Sequence, residues 1–259
     1  LAFLFCLQWN VAFAGAWTQG TGTGLFIQNF SYYSANKFFD NSGHKQPLNH
    51  YSKYELNPYL EYGLRDWLTI GANIFADRTS QSNNSNWGIG DSEFFVRSRV
   101  WNENAFVFSL QPTIKLPSLD KRSERPQIGN RNFDTGLTLS GGYGFKAWNL
   151  DHFVNLDVGY NHRSGTPNDQ IKFAATSGFS LSKEYMLLTQ IFTTIRTKKS
   201  ANSPFTLSSG DDYNLSKLQI SAVYKIDEKL SLQLGAFADI FGRNTGSGSG
   251  TLFAVNKAF

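Results

Sequence analysis

Apolar and polar side chains alternate along most of this chain. Within residues 54–75, Glu55, Asn57, Tyr59 and Glu61 alternate with Tyr54, Leu56, Pro58, Leu60 and Tyr62, and Leu64-Arg65-Asp66 breaks the run before the next one begins. A β-strand has a side-chain period of two, so the two sets lie on opposite faces. Similar runs predict strands near 23–33, 51–63, 67–78, 87–101, 105–117, 132–145, 151–163, 169–181, 185–198, 213–226, 230–241 and 249–259. That is about twelve, an even number, as closed antiparallel barrels use.

In these strands the charges keep to one face. Leu68, Ile70, Ala72 and Ile74 oppose Thr69, Asn73 and Asp77; Phe94, Val96 and Val100 oppose Asp91, Glu93, Arg97 and Arg99. Ile114 and Leu116 oppose Lys115, Val154, Leu156 and Val158 oppose Asp157 and Arg163, and Leu218, Ile220 and Ala222 oppose Lys217. Such strands suit either a soluble sheet over a core or a membrane barrel with lipid outside and a polar lumen. The connections favour the barrel. Short ones, at 64–66, 102–104, 146–150, 182–184 and 227–229, alternate with longer polar ones at 34–50, 79–86, 118–131, 164–168, 199–212 and 242–248. Outer-membrane barrels sort their connections this way, with short periplasmic turns and long extracellular loops. An Arg or Lys on the lipid face at the bilayer midplane costs about 2–4 kcal/mol, which explains why the charges face inward. Tyr62, Trp67, Trp101, Phe106, Phe145, Trp148, Phe153 and Tyr185 flank the short turns, where amphipathic rings suit a membrane interface.

Composition agrees with strands and turns. Charged residues are 17% of the 259 and aromatic ones 15%, with 23 Phe, 11 Tyr, 6 Trp and 23 Gly. The net charge of +4 comes from basic residues that stand singly among acids, without the clustered footprint that nucleic acid requires. No charge precedes Lys37, and the opening LAFLFCLQWNVAFAGAW is apolar, with small residues Ala12, Ala14 and Ala16. This reads as an N-terminally incomplete secretory signal over 1–16, followed by a single barrel domain over 17–259 that begins near Gly15 or Trp17. Gln8 and Asn10 interrupt the apolar run, which falls short of a membrane helix. Cys6, the only cysteine, lies in that signal, so no disulfide or thiolate chemistry is expected of the mature chain.

The last segment, TLFAVNKAF, places Thr251, Phe253, Val255 and Phe259 on one face. It is similar to the terminal strand that barrel-assembly machinery recognises. Further segments resemble the bacterial outer-membrane proteins grouped as the phenol meta-degradation-pathway type. These are Ala16-Trp17-Thr18-Gln19, Tyr62-Gly63-Leu64 with Trp67-Leu68-Thr69-Ile70-Gly71, and Gly88-Ile89-Gly90-Asp91 with Arg97. Lys115-Leu116-Pro117, Gly141-Gly142-Tyr143-Gly144, and Gly159-Tyr160 with Arg163 and Pro167-Asn168-Asp169-Gln170 complete the set. The resemblance implies a transporter barrel that admits hydrophobic or aromatic small molecules, and it carries over no catalytic or binding residue.

Candidate lumen-lining residues are Glu55, Glu61, Asp77, Asp91, Glu93, Arg97, Arg99, Lys115, Asp134, Asp157, Arg163, Lys172, Arg196 and Lys217. Glu93, Arg97, Arg99, Lys115, Asp134 and Asp157, on four consecutive strands, are expected to form a charged ladder that either sets selectivity or fills the lumen with ion pairs. An acyl hydrolase would need His162 and Ser164 within reach of each other, yet His162 has lipid-facing parity and Arg163 intervenes. His44, His50, His152 and His162 have no metal-ligand spacing, and Asp211-Asp212 marks a turn more naturally than a calcium site. The glycine runs at 20–24 and 246–250 read as flexible connections, because a phosphate cradle needs a helix after it. Lys121, Arg122, Arg125, Lys198 and Lys199 could meet lipopolysaccharide phosphates from the loops. Two features resist: Pro58 and Pro112 fall inside strands, and Lys257 falls on the lipid face.

The expectation is an all-β transmembrane antiparallel barrel of about twelve strands, monomeric, in the bacterial outer membrane and without cofactor or metal. It would pass small solutes, hydrophobic or aromatic ones included. A structural or adhesive barrel with an occluded lumen is the alternative, and an enzyme the third.

Overall fold

A computed structural model describes residues 15–119, 126–129, 132–165, 167–198 and 212–259. Its strands are β1 (Gly24–Phe39), β2 (Lys45–Arg65), β3 (Leu68–Asn73), β4 (Ala76–Gln81), β5 (Asn84–Ile89), β6 (Ser92–Glu103) and β7 (Phe106–Leu116). β8 (Asp134–Ala147), β9 (Leu150–Arg163), β10 (Gln170–Ser180), β11 (Tyr185–Arg196), β12 (Asn214–Lys225), β13 (Leu230–Arg243) and β14 (Thr245–Ala258) complete the set. β3 and β4 are two halves of one wall strand along β2, and β5 and β6 are halves of the next. Counted this way twelve strands run antiparallel around the wall, and β1 pairs with both β2 and β14 to close it. No helix occurs among the described residues.

The closing seam uses the end of the chain. Gly24 and Phe259 exchange both backbone hydrogen bonds, N–H to C=O, at 2.8 and 3.0 Å. A side chain at Gly24 would collide with the Phe259 ring, its Cβ lying 2.3 Å from Cζ, so only glycine fits the seam.

The outward face is apolar all round. Phe30, Leu60, Phe94, Phe108, Leu139, Leu156, Ile191, Ile220, Leu234 and Phe253 are exposed, while inward Glu61, Arg97, Asn155 and Ser221 are almost completely buried. This inverts the pattern of a soluble domain and matches a barrel solvated by lipid. Trp67, Trp101, Trp148 and Tyr185 ring the end that carries the short turns, called here the turn end; the opposite one is the loop end. Lys257 is exposed on the outward face, opposite Leu230 at that same turn end, where an ammonium can reach the interface.

Three of the expected long loops are mostly strand instead. β1 and β2 extend until only residues 40–44 connect them, β4 and β5 meet across residues 82–83, and Asn244 alone joins β13 to β14. Here most residues, apart from Phe38, Phe39 and Leu48, are polar on both faces, so pairing continues past the apolar band, and local turn chemistry sets the reversal. Asp40 accepts the backbone N–H groups of Ser42 and His44, each at 2.9 Å, and Gly43 takes a φ of 90° that suits it. The glycine run at 246–250 is therefore strand, paired with β1 residues, and not a flexible loop.

The prolines mark where the ladders part. Pro58 C=O accepts from Ile74 N–H at 3.0 Å, so its missing donor faces the gap between β3 and β4. Asn57 patches that gap, its Nδ2 donating to Asn73 Oδ1 at 2.6 Å and Ile74 C=O at 2.7 Å. The second gap lies alongside, with Gly90 N–H donating to Phe75 C=O at 2.7 Å. Around Pro112 the β6–β7 pairing passes from Phe95–Thr113 to Ser98–Leu110, skipping the residues between.

Candidate functional site

The lumen is the concave surface that the fold creates, and a segment of the chain itself lies in it. Residues 15–22 enter the barrel ahead of β1 as a strap. Ala16 is fully buried; its N–H donates to Asn155 Oδ1 on β9 at 2.8 Å, and its C=O accepts from the Ser109 hydroxyl on β7. The Trp17 ring stands edge-on to Phe153, 5.7 Å between centroids, and fits over Gly142, where a Cβ would lie 2.6 Å from it. Gln19 N–H donates to Thr69 Oγ1 at 2.8 Å. The strap thus crosses from β9 to β2 and β3.

Its anchor is an ion pair. Arg97 Nη1 meets Glu61 Oε1 at 2.7 Å, with both side chains essentially inaccessible to water. Glu61 also accepts from the Tyr59 hydroxyl and from Gln19 Nε2, the latter at 2.6 Å. Arg97 donates further to Trp17 C=O at 3.0 Å and Gln111 Oε1 at 2.9 Å, and its guanidinium lies over the Phe95 ring at 5.2 Å. A buried pair of this kind is tolerated only when the remaining donors and lone pairs are also satisfied, and here the strap satisfies several. Beyond it, Phe153, Met186, Leu188 and Val223 form an apolar cluster inside the barrel, closed by Trp17. At the turn end Asp66 accepts the Thr21 N–H at 2.8 Å and its hydroxyl at 2.7 Å, which lowers its carboxyl pKa from the ordinary 3.8.

Two other charged groups line the lumen. Towards the loop end Lys115 bridges Asp134 at 2.5 Å and Asp91 at 3.2 Å, and Arg163 Nε lies 3.7 Å from Asp134. Across the barrel, Lys53 bridges Glu55 at 2.6 Å and Asp77 at 3.1 Å. Near them Lys217 stands over the Phe237 ring at 4.7 Å, Tyr33 stacks parallel to Phe237 at 6.3 Å, and Tyr33 donates to Asp239 at 2.7 Å. Lys172 reaches Glu93 at 3.9 Å.

The expected four-strand ladder forms in part: Glu93, Lys115 and Asp134 lie in one row across β6, β7 and β8, while the other members fall outside it. Arg97 leaves it for Glu61, Lys115 and Asp134 pair with each other, and Asp157 is held by Asn155 Nδ2 at 2.8 Å. Glu93, Lys115, Asp134 and Arg163 are successive cross-strand partners and form one row, whereas Arg97, Arg99 and Asp157 sit at other heights along their strands, where shared parity does not make them neighbours of that row. Arg99 is half-buried beside Asp66 at the turn end. Arg196 ties the loop end together, donating to Asp212 C=O at 3.2 Å and Asn41 Oδ1 at 2.8 Å. Lys53, Asp239 and the inward aromatics were missing from the sequence-derived set, although Lys53 shares the parity of Glu55. The strap was missed because Gly15 and Ala16 read as the end of a signal and the glycine run at 20–24 as a flexible connection.

Other candidates resolve differently. His162 Nδ1 lies 3.1 Å from Asp169 on the outward side. Asp212 receives Asn168 N–H and Nδ2, both at 2.7 Å, while Asp211 lies outside the described residues. Among the described residues no group of three or more His, Cys, Asp and Glu could hold a metal. Lys198 is exposed at the loop end; Lys121, Arg122, Arg125 and Lys199 lie outside the described residues, as does the signal stretch 1–14.

No family model matches this chain, and no curated protein does. Solved structures do. The chain is similar to the COG4313 outer membrane channel from Pseudomonas putida F1, at a TM-score of 0.74 and 13% identity over 96% of this chain and 100% of that one. It is also similar to the NanC porin, at 0.56 and 7% over 90% and 98%. The KdgM porin in complex with disordered oligogalacturonate matches at 0.52 and 9%, over 90% and 99%. At these identities the likeness defines the fold: the chain is an all-β antiparallel barrel of the kind found in outer-membrane channels. The resemblance to phenol meta-degradation-pathway proteins holds at that coarser level.

Proposed function

We propose that this protein is an outer-membrane channel through which small solutes pass passively, hydrophobic and aromatic ones among them. One observation carries the reading: a closed barrel, apolar outside, encloses a lumen whose wall combines charges of both signs with the aromatic faces of Tyr33, Tyr51, Phe95 and Phe237. Charged walls select ions, and aromatic faces offer stacking surface to a ring passing between them. The barrel would insert as a monomer through recognition of the strand ending at Phe259, after export by a cleaved signal, and contact outer-membrane lipids and lipopolysaccharide. The short turns would then lie in the periplasm. The reading gives no residue a catalytic role.

The strap favours a second reading, a structural barrel whose lumen is occluded. Single-channel recording of the refolded mature protein in a planar bilayer, with and without benzoate as the aromatic probe, decides between them. Discrete conductance steps that benzoate blocks support the channel. A folded barrel that stays silent overturns it and leaves the occluded barrel.

A further inference from the structure

Two overlapping small-x-small patterns precede the barrel, Ala12-Phe13-Ala14 and Ala14-Gly15-Ala16. A signal peptidase accepts either. Cutting after the second discards Ala16 and makes Trp17 the first residue, whereas cutting after the first keeps Gly15 and Ala16.

The contacts of the strap discriminate between the two. Ala16 is wholly inaccessible and bonded at both its backbone groups, to Asn155 and Ser109. These partners are themselves 1% and 2% exposed, so removing Ala16 strips a bond from two groups that water reaches poorly. Gly15 is buried too, and packed so closely on Asn155 that a Cβ there would lie 2.7 Å from Oδ1. Two residues along the same inward face of β9, the largely buried carboxylate of Asp157 accepts from Asn155 at Oδ2 and also meets the Ser140 hydroxyl. A buried carboxylate without an ion pair of its own favours a further positive charge beside it.

We propose that the export signal is cleaved between Ala14 and Gly15, and that the α-ammonium released on Gly15 is retained inside the barrel beside Asn155 and Asp157. In the cleavage, water adds its oxygen to the Ala14 carbonyl carbon, the C–N bond to Gly15 breaks, and the freed amine takes up a proton. The signal then ends at residue 14, not 16, and Ala16 is a structural residue of the mature barrel. The inference rests on the export reading, since without export there is no cleavage.

The intact mass of the protein purified from the outer membrane of its native host, made from the full-length gene, tests it. The wild type should begin at Gly15, and Ala16→Ser should be heavier by one oxygen atom. A wild type that begins at Trp17, or an Ala16→Ser product of unchanged mass, overturns the inference and leaves the export reading intact; a chain that keeps residues 1–14 overturns both. If the variant fails to fold, the wild-type mass still decides. An amine-reactive reagent at neutral pH tests the ammonium's position: Gly15 should be modified in the unfolded chain and protected in the folded barrel. Equal modification in both states rejects its burial.

Discussion

At the scale of single residues, the Arg97–Glu61 pair is the interaction that anchors the strap in the lumen. It joins β6 to β2, holds Trp17 and Gln19 of the strap, and has almost no access to solvent. Replacing one partner leaves the other as an uncompensated buried charge, so Arg97→Met or Glu61→Gln should each lower stability by about 3–5 kcal/mol. The double variant should lose less than the two single losses summed, because it removes both charges together. Urea midpoints of the barrel refolded in lipid vesicles measure all three, and strictly additive losses would mean that the pair is not coupled. The inward parity of both residues was readable from the period-two pattern. Their contact was not, because it spans 36 positions and exists only once the strap and the wall strands are in place.

At the scale of elements, strands were more legible than their ends. Alternation locates a strand wherever one face meets lipid, but it stops informing where both faces are polar, which is why the β1–β2 and β13–β14 hairpins run longer than expected. Pro58 was visible as an anomaly, while its resolution lies on the opposing strand, which breaks between Asn73 and Ala76. The strap was the element least visible: its alanines and glycines suit peptidase cleavage and tight lumen packing equally well. Its outer turn docks on β2, with Gly22 N–H donating to Gly63 C=O and Gly63 N–H to Thr23 C=O, both at 2.9 Å. Asp66 anchors the same turn through Thr21. Because the folded carboxyl titrates below its ordinary 3.8, its contribution is complete above that value and lost as pH falls through the lowered one. Amide exchange at Thr21, corrected for the intrinsic pH dependence, should therefore lose protection below pH 3.8, while Gly22, bonded to backbone, keeps it. Asp66→Asn should show the weaker protection at all pH values; a Thr21 profile that matches Gly22 throughout would remove Asp66 from the anchor.

At the scale of the whole molecule, the lumen is divided along its axis. The turn end is filled by the strap, the Arg97–Glu61 pair and the apolar cluster around Phe153, whereas nearer the loop end the more exposed Lys172 and Glu93 pair across the lumen at 3.9 Å. The ion-paired residues are poor levers on selectivity, since reversing Arg97 would unseat the strap before it altered a passing ion's potential. Lys217 is the better lever. It is half-buried on the inward face and held over Phe237 by a cation–π contact; Asp239 is its cross-strand partner and Glu55 lies within electrostatic reach, but it forms no close ion pair among the described residues. A unit charge at about 4 Å in water is worth roughly 1 kcal/mol, and Lys217→Glu changes the charge by two units, so it should raise the cation-to-anion permeability ratio by at least about five-fold. The reversal potential under a potassium chloride gradient reads this directly, with Lys198→Glu, on the exposed loop end, as the control that should change it little. If both variants shift the potential equally, selectivity is set by the mouth of the barrel and Lys217 lies off the conducting path. If only Lys217→Glu shifts it, ions pass along the wall of β12 and β13, and the strap narrows that path without closing it.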